Sequence, residues 1–167
     1  MFLDKLNQKE LHKVEAVGSA LWYPAGAAIL EEGDSGTCFG VILVGRVEVR
    51  KRLAVGQYKV MLELGPCDLV GELGYLGAAT RSASVVALTE CQVLEFNRTR
   101  FESFIEANPA IGVKIYHGMA AVLAERLALS DETLLDTIFW ALNRPLNQPP
   151  TTQVNIANRS GFVLRKS

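Results

Sequence analysis

With 49% hydrophobic and 21% charged side chains, the 167-residue chain has the composition of a soluble globular protein with room for one core. Its net charge of -1 and pI near 6.1 imply no basic face, which argues against a free-standing nucleic-acid binder. Cys38, Cys67 and Cys91 are odd in number and far apart, so they read as reduced thiols of a cytoplasmic protein, not a disulfide framework or zinc site. The N-terminal stretch is charged throughout and does not read as a secretory signal, and no stretch has the length and apolarity of a membrane span, so no membrane partner is expected.

Residues 1–19 read as an N-terminal helical segment, with Phe2, Leu3, Leu6, Leu11 and Val14 near one face of a helix from Phe2 to about Val17. From residue 20 to 97 the pattern changes to short apolar runs broken by Gly, Pro and Asp. Strands are expected at Leu21–Tyr23, Ala28–Leu30, Cys38–Val44, Arg46–Lys51, Tyr58–Glu63, Ser82–Leu88 and Cys91–Phe96. Many short strands at close spacing indicate a sandwich or barrel. Gly45, between two strand runs, supplies a tight turn that a side chain would block.

After Asn97 the period becomes helical. Arg98–Glu106 is a short helix. Asn108 then serves as N-cap and Pro109 as first residue of a run that need not stop before Asn143 or Pro145. If continuous, that helix is about 50 Å long, more than a small barrel covers. Ile111, Ile115, Met119, Val122, Leu127, Leu134, Ile138 and Leu142 recur at steps of mostly three and four. Such a stripe on a protruding helix wants a partner, most simply a second copy in a symmetric dimer through residues 109–143. The alternative is that Leu134–Leu142 forms a separate helix folded back on the barrel. The tail, 145–167, has turn formers and no sustained period, and reads as irregular.

The densest chemistry lies in Val70–Val85, where Glu72 and Arg81 stand nine positions apart among Gly71, Gly74 and Gly77. Gly-rich backbone entering a helical turn makes a nest for an anion. A guanidinium adds a planar fork matched to two phosphate oxygens. A carboxylate beside a phosphate must face something else, and sugar hydroxyls are the natural choice. Phosphate and ribose read within one loop spell a nucleotide. The competing reading is a weak surface ion pair.

Taken together, Tyr23-Pro24-Ala25-Gly26, Glu32-Gly33-Asp34-Ser35-Gly36, Ile42–Val49, Leu64-Gly65-Pro66-Cys67-Asp68, Gly71-Glu72-Leu73 and Thr80–Val85 resemble the cyclic-nucleotide-binding domain family, of the catabolite-activator and kinase regulatory-subunit type. The resemblance implies a mainly β fold with flanking helices: a double-stranded β-helix, or jelly-roll-like β-roll, with an N-terminal helix and a long C-terminal helix. It implies a nucleotide-binding domain over 20–130 (roll 20–97, helices 98–130) and a helix extension over 131–144. Glu72 would accept from the ribose 2′-hydroxyl and Arg81 would pair with the cyclic phosphate. Backbone N–H groups near Gly71, Leu73 and Gly74, with the Ser82 N–H and hydroxyl, would join at the phosphate. Leu127, Ser130, Asp131 and Leu134 would reach the base as a lid. Two positions depart from the family pattern: Thr80 stands where Pro commonly precedes the Arg, and Val70 replaces an aromatic.

The function so implied is a regulatory sensor for cAMP or cGMP, with cAMP favoured, that switches an unidentified protein partner or its own dimer through the C-terminal helix. Thr133–Ser167 lacks helix-turn-helix grammar and a basic cluster, so direct DNA binding is not expected. The alternatives are a degenerate roll that binds no nucleotide and serves as a dimerisation or docking module, and a cupin-like enzyme. The enzyme needs clustered His and carboxylate ligands on inward-facing strands, whereas His12 and His117 both fall in helices, so neither catalysis nor a metal is expected. Replacing Arg81 is expected to remove nucleotide binding while leaving the free protein's stability nearly unchanged.

Overall fold

The computed structural model describes residues 3–77 and 80–142, with side chains to Asp131. The chain divides into two units, Met1–Ala128 and Leu129–Ser167. Described residues of the second unit are helical. The expectations for Phe2 and for the tail lie outside the described residues.

The first unit opens with α1 (Gln8–Glu15), shorter than the apolar stripe predicts. Asn7 fixes its start: the Asn7 side chain accepts from the Glu10 N–H while Glu10 accepts from the Asn7 N–H, a reciprocal cap. Among the described residues eight strands follow: β1 (Ser19–Tyr23), β2 (Ala28–Leu30), β3 (Cys38–Val44), β4 (Val47–Ala54), β5 (Gln57–Leu64), β6 (Leu69–Val70), β7 (Ser84–Ala87) and β8 (Cys91–Asn97). They form two four-stranded antiparallel sheets, ordered β1-β8-β3-β6 and β2-β7-β4-β5. Helix α2 (Glu72–Leu76) sits between β6 and β7, and α3 (Arg98–Ala107) and α4 (Pro109–Leu142) follow β8. The fold is the expected β-roll with flanking helices.

Gly45 joins β3 to β4 at φ 92°, and a Cβ there would lie 2.4 Å from the Glu90 carbonyl, so the turn admits no side chain. Two apolar clusters hold the unit. One lies between the sheets and includes Ile42, Val47, Val70, Val85, Ala87 and Val93. The other lies under the helices, where Phe39, Phe96 and Phe101 are fully buried with ring centroids 4.9–5.3 Å apart. Truncating any of these rings to Ala costs about 3–5 kcal/mol by the usual rule for core aromatics.

Helix α4 corrects the expectation about its stripe. Ile111, Ile115 and Met119 are buried against the roll and Val122 packs on the same cluster, so these residues close the protomer's own core. The positions left outward are Val113, Tyr116, Ala120 and Leu127, one face over, with the half-buried Leu123 between the last two.

Candidate functional site

Two segments converge at one end of the inter-sheet core. The first runs from β6 into α2. Gly71, the residue before the helix, has φ 77°, and a Cβ on it would fall 2.8 Å from Arg81 Nη1. Gly74 is equally confined: its Cβ would meet the same nitrogen at 3.0 Å and the Gly36 backbone at 3.1 Å. Both glycines therefore make room for one guanidinium, and Gly71 also supplies the left-handed backbone that opens the helix. Helix α2 begins at Glu72, whose first-turn N–H groups have no intrahelical acceptor.

The second segment is Thr80–Val85. Arg81 is locked at the backbone by the loop ahead of β3: Gly33 N–H donates to the Arg81 carbonyl at 3.0 Å and Arg81 N–H donates to the Asp34 carbonyl at 2.7 Å. Ser35 bridges Thr80 in the same ladder. This explains the Glu-Gly-Asp-Ser-Gly run, a brace that fixes where Arg81 leaves the backbone. The Arg81 side chain then turns inward. Nη1 donates to the Gly71 carbonyl at 2.8 Å and Nη2 to Cys38 Sγ at 3.1 Å. Burial pushes the Cys38 thiol above its ordinary pKa, against the opposing pull of the Arg81 charge.

Glu72 and Arg81 are only 4% and 5% exposed, and both line a cavity of about 60 Å³ walled by Leu30, Val49, Val70 and Val85. The structure thus brings Gly71, Glu72, Leu73, Gly74, Arg81 and Ser82 to one cavity. Ser82 itself is exposed at its mouth. Glu72 and Arg81 do not pair with each other. The Glu72 partner is Arg126 of α4, whose Nη1 donates to Glu72 Oε1 at 2.6 Å and Nη2 to the Leu69 carbonyl at 2.7 Å. A second tie joins the same elements, with the Tyr75 and Tyr116 hydroxyls 3.0 Å apart. Helix α4 therefore grips the carboxylate-bearing helix at two points.

Sequence reasoning missed two arginines. Arg126 reads as a solvated charge on an amphipathic helix. Its one signal is that a lone buried carboxylate such as Glu72 demands a cation. Arg98 was equally inconspicuous: its Nη2 donates to the Gly36 and Gly74 carbonyls at 2.9 Å each, clamping α2 to the loop ahead of β3, while its guanidinium lies 5.1 Å from the centre of the Tyr75 ring. Of the expected lid positions, Leu127 is 64% exposed, Ser130 and Asp131 fall in the second unit, and the Leu134 side chain lies outside the described residues. Among the described residues, no three His, Cys, Asp or Glu side chains form a group able to hold a metal ion.

This geometry agrees with comparisons to known proteins. A family model for the cyclic nucleotide-binding domain matches residues 20–108. The chain is 29% identical over 117 residues to a CRP-like cAMP-activated global transcriptional regulator of Mycobacterium tuberculosis, covering 70% of this chain and 50% of that one. It is similar in structure to the catabolite activator protein of Thermus thermophilus, with a TM-score of 0.72 and 29% identity over 83% of this chain and 63% of the other. The regulatory domain of Toxoplasma gondii PKA, crystallised with cAMP, gives a TM-score of 0.55 and 29% identity over 62% of this chain and 39% of that one. The chain spans about half the length of the curated relatives it matches.

Proposed function

Because the chain belongs to the cyclic nucleotide-binding domain family, we propose that it is a regulatory sensor that takes a cyclic nucleotide between α2 and the Arg81 segment. One observation carries this reading: a carboxylate and a guanidinium, each almost wholly buried and not paired with each other, line the same cavity. Burying two unlike charges apart is unfavourable unless each has a separate task. Arg81 presents a fork to a cyclic phosphate, and Glu72 accepts from a ribose hydroxyl. Relatives whose names specify cAMP favour cAMP over cGMP.

Ligand uptake requires movement. The cavity of about 60 Å³ is well short of the roughly 300 Å³ at which small-molecule pockets begin. The Arg81 donors are also held by Gly71 and Cys38, and the Glu72 oxygen by Arg126. A nucleotide that recruits Glu72 shifts the balance at Arg126, and hence α4, because it gains contacts in only one of the two arrangements. The stripe of outward Val113, Tyr116, Ala120 and Leu127 with half-buried Leu123 suits helix pairing with a second copy, which would carry the change between protomers.

Thermal unfolding with cAMP, cGMP and linear AMP tests the binding claim. At a hundredfold excess over its dissociation constant, the cognate ligand adds about 2.7 kcal/mol, or roughly 5–10 °C for a chain of this length. Linear AMP should do far less. If no cyclic nucleotide moves the midpoint, the chain is an interaction module and the proposal fails. Ser82→Ala separates the bases: a selective loss with cGMP assigns the hydroxyl to guanine, and equal losses assign it to the phosphate.

A further inference from the structure

We propose that the tip of the β4–β5 hairpin is a docking element for an anionic lipid surface. Within 50–61 the chain carries Arg50, Lys51, Arg52 and Lys59 and no acidic side chain, although the whole protein has a net charge of -1. The same stretch exposes Leu53 by 66%, Val55 fully, and Tyr58, Val60 and Met61 by 42–49%. Most apolar side chains so placed lower the solubility of a free ribbon end, so their concentration here asks for a partner.

The ladder fixes how these groups are arranged. Lys51 lies directly opposite Lys59, and Arg52 opposite Tyr58. Alternation then puts the two lysines on the face that continues from Val49 and Leu62, and Arg50, Arg52 and Tyr58 on the other face. The Arg50 guanidinium over the Tyr58 ring, at 4.5 Å, agrees with that assignment. Two lysines facing each other across a ladder repel, an arrangement unfavourable to the isolated hairpin. Two acidic side chains border the stretch: the Glu48 carboxylate lies 3.5 Å from Arg50 Nη1, and the Glu32 carboxylate accepts from the Arg52 backbone N–H at 2.8 Å.

With Arg50 paired to Glu48, the exposed Lys51 and Lys59 on one face and Arg52 on the other stand behind a tip of Leu53 and Val55. A protein groove reads one face of a ribbon, and a nucleic acid offers no apolar medium for a bare aliphatic tip. A fluid bilayer with anionic headgroups accommodates both features at once. Strand rise places the lysines about 10 Å behind Val55, near the depth of about 5–10 Å to which interfacial elements sink. Juxtaposed cations then meet lipid phosphates and serines while the aliphatic tip enters the acyl boundary. Peripheral docking of this kind needs no membrane span, so the absence of one from the sequence does not oppose it.

Co-sedimentation of the full chain with vesicles decides the matter. Phosphatidylcholine vesicles containing phosphatidylserine should pellet the protein, pure phosphatidylcholine vesicles should not, and high salt should release it. The double variant Lys51→Gln/Lys59→Gln should weaken binding about thirtyfold, the equivalent of roughly 1 kcal/mol per cation. Val55→Asp should weaken it comparably, and both variants should keep the parental unfolding midpoint because the altered side chains are exposed. Equal pelleting with both vesicle types, no pelleting, or unchanged binding by both variants overturns the proposal. So does capture by soluble polyglutamate without capture by vesicles, which would assign the hairpin to an acidic protein instead.

Discussion

Arg81 shows how much a single side chain is asked to do before any ligand arrives. Its guanidinium occupies space left by two glycines, and its donors already hold the Gly71 carbonyl and Cys38. The expectation that its removal would leave the free protein untouched is therefore corrected. Arg81→Ala should lower stability by about 2 kcal/mol through lost hydrogen bonds and a buried hole, measured by urea unfolding without nucleotide. An unchanged midpoint would mean that the guanidinium is held loosely. Cys67 offers the opposite case. It takes φ 74° after Pro66 in a turn where Asp68 N–H donates to the Gly65 carbonyl at 3.1 Å, a position suited to glycine. Cys67→Gly should raise stability by about 1 kcal/mol, and a fall would contradict that account. The sequence made Glu72 and Arg81 legible because a charged pair among glycines has few uses. Arg126 and Arg98 were not legible, because their roles depend on partners brought close only by folding.

Elements show the same division. Strands written as apolar runs between turn formers, such as β3 and β8, were readable, as was the Asn108–Pro109 entry to α4. Strand β6 was missed because two residues carry no period, yet it aims the chain into α2. Strand β4 runs on to Ala54 past Lys51, since ladder hydrogen bonds continue through residues whose polarity mimics a loop. Helix α1 is tied to α4 by Lys114, whose Nζ lies 2.7 Å from both Glu10 oxygens. Hydrogen bonds from Lys114, and then from the Asn7 backbone, hold the Glu10 carboxyl below its usual pKa. A depressed folded-state pKa contributes stability above the unfolded-state value, and that contribution is lost as pH falls through the folded one. Glu10→Gln should therefore unfold earlier than the parent at neutral pH, with the difference closing in acid. A difference that persists unchanged in acid would contradict the tie.

At the scale of the molecule, two apolar clusters divide the labour. The aromatic one fastens the helices to a sheet, and the aliphatic one leaves at its end a cavity that Glu72 and Arg81 line. Strand spacing indicated a sandwich or barrel, and the family resemblance narrowed it to a roll. They did not reveal which face of α4 is buried, because both candidate stripes have helical spacing and only the docking of Ile111, Ile115 and Met119 chooses between them. Pairing through the outward stripe predicts a gel-filtration mass twice that of the monomer, reduced by Leu123→Glu with Leu127→Glu; a parental mass already monomeric would reject it. Arg126 links this level to the site. Arg126→Gln should cost about 1–3 kcal/mol in the free protein by stranding the Glu72 carboxylate, while changing how strongly nucleotide protects α4 from amide exchange. The most direct test of the whole account is calorimetric titration of cAMP into the parent and into Glu72→Gln. The account requires saturable binding at one site per chain, weakened at least about tenfold by the loss of a charged acceptor. Undetectable binding by the parent, or equal affinity for both proteins, would contradict it.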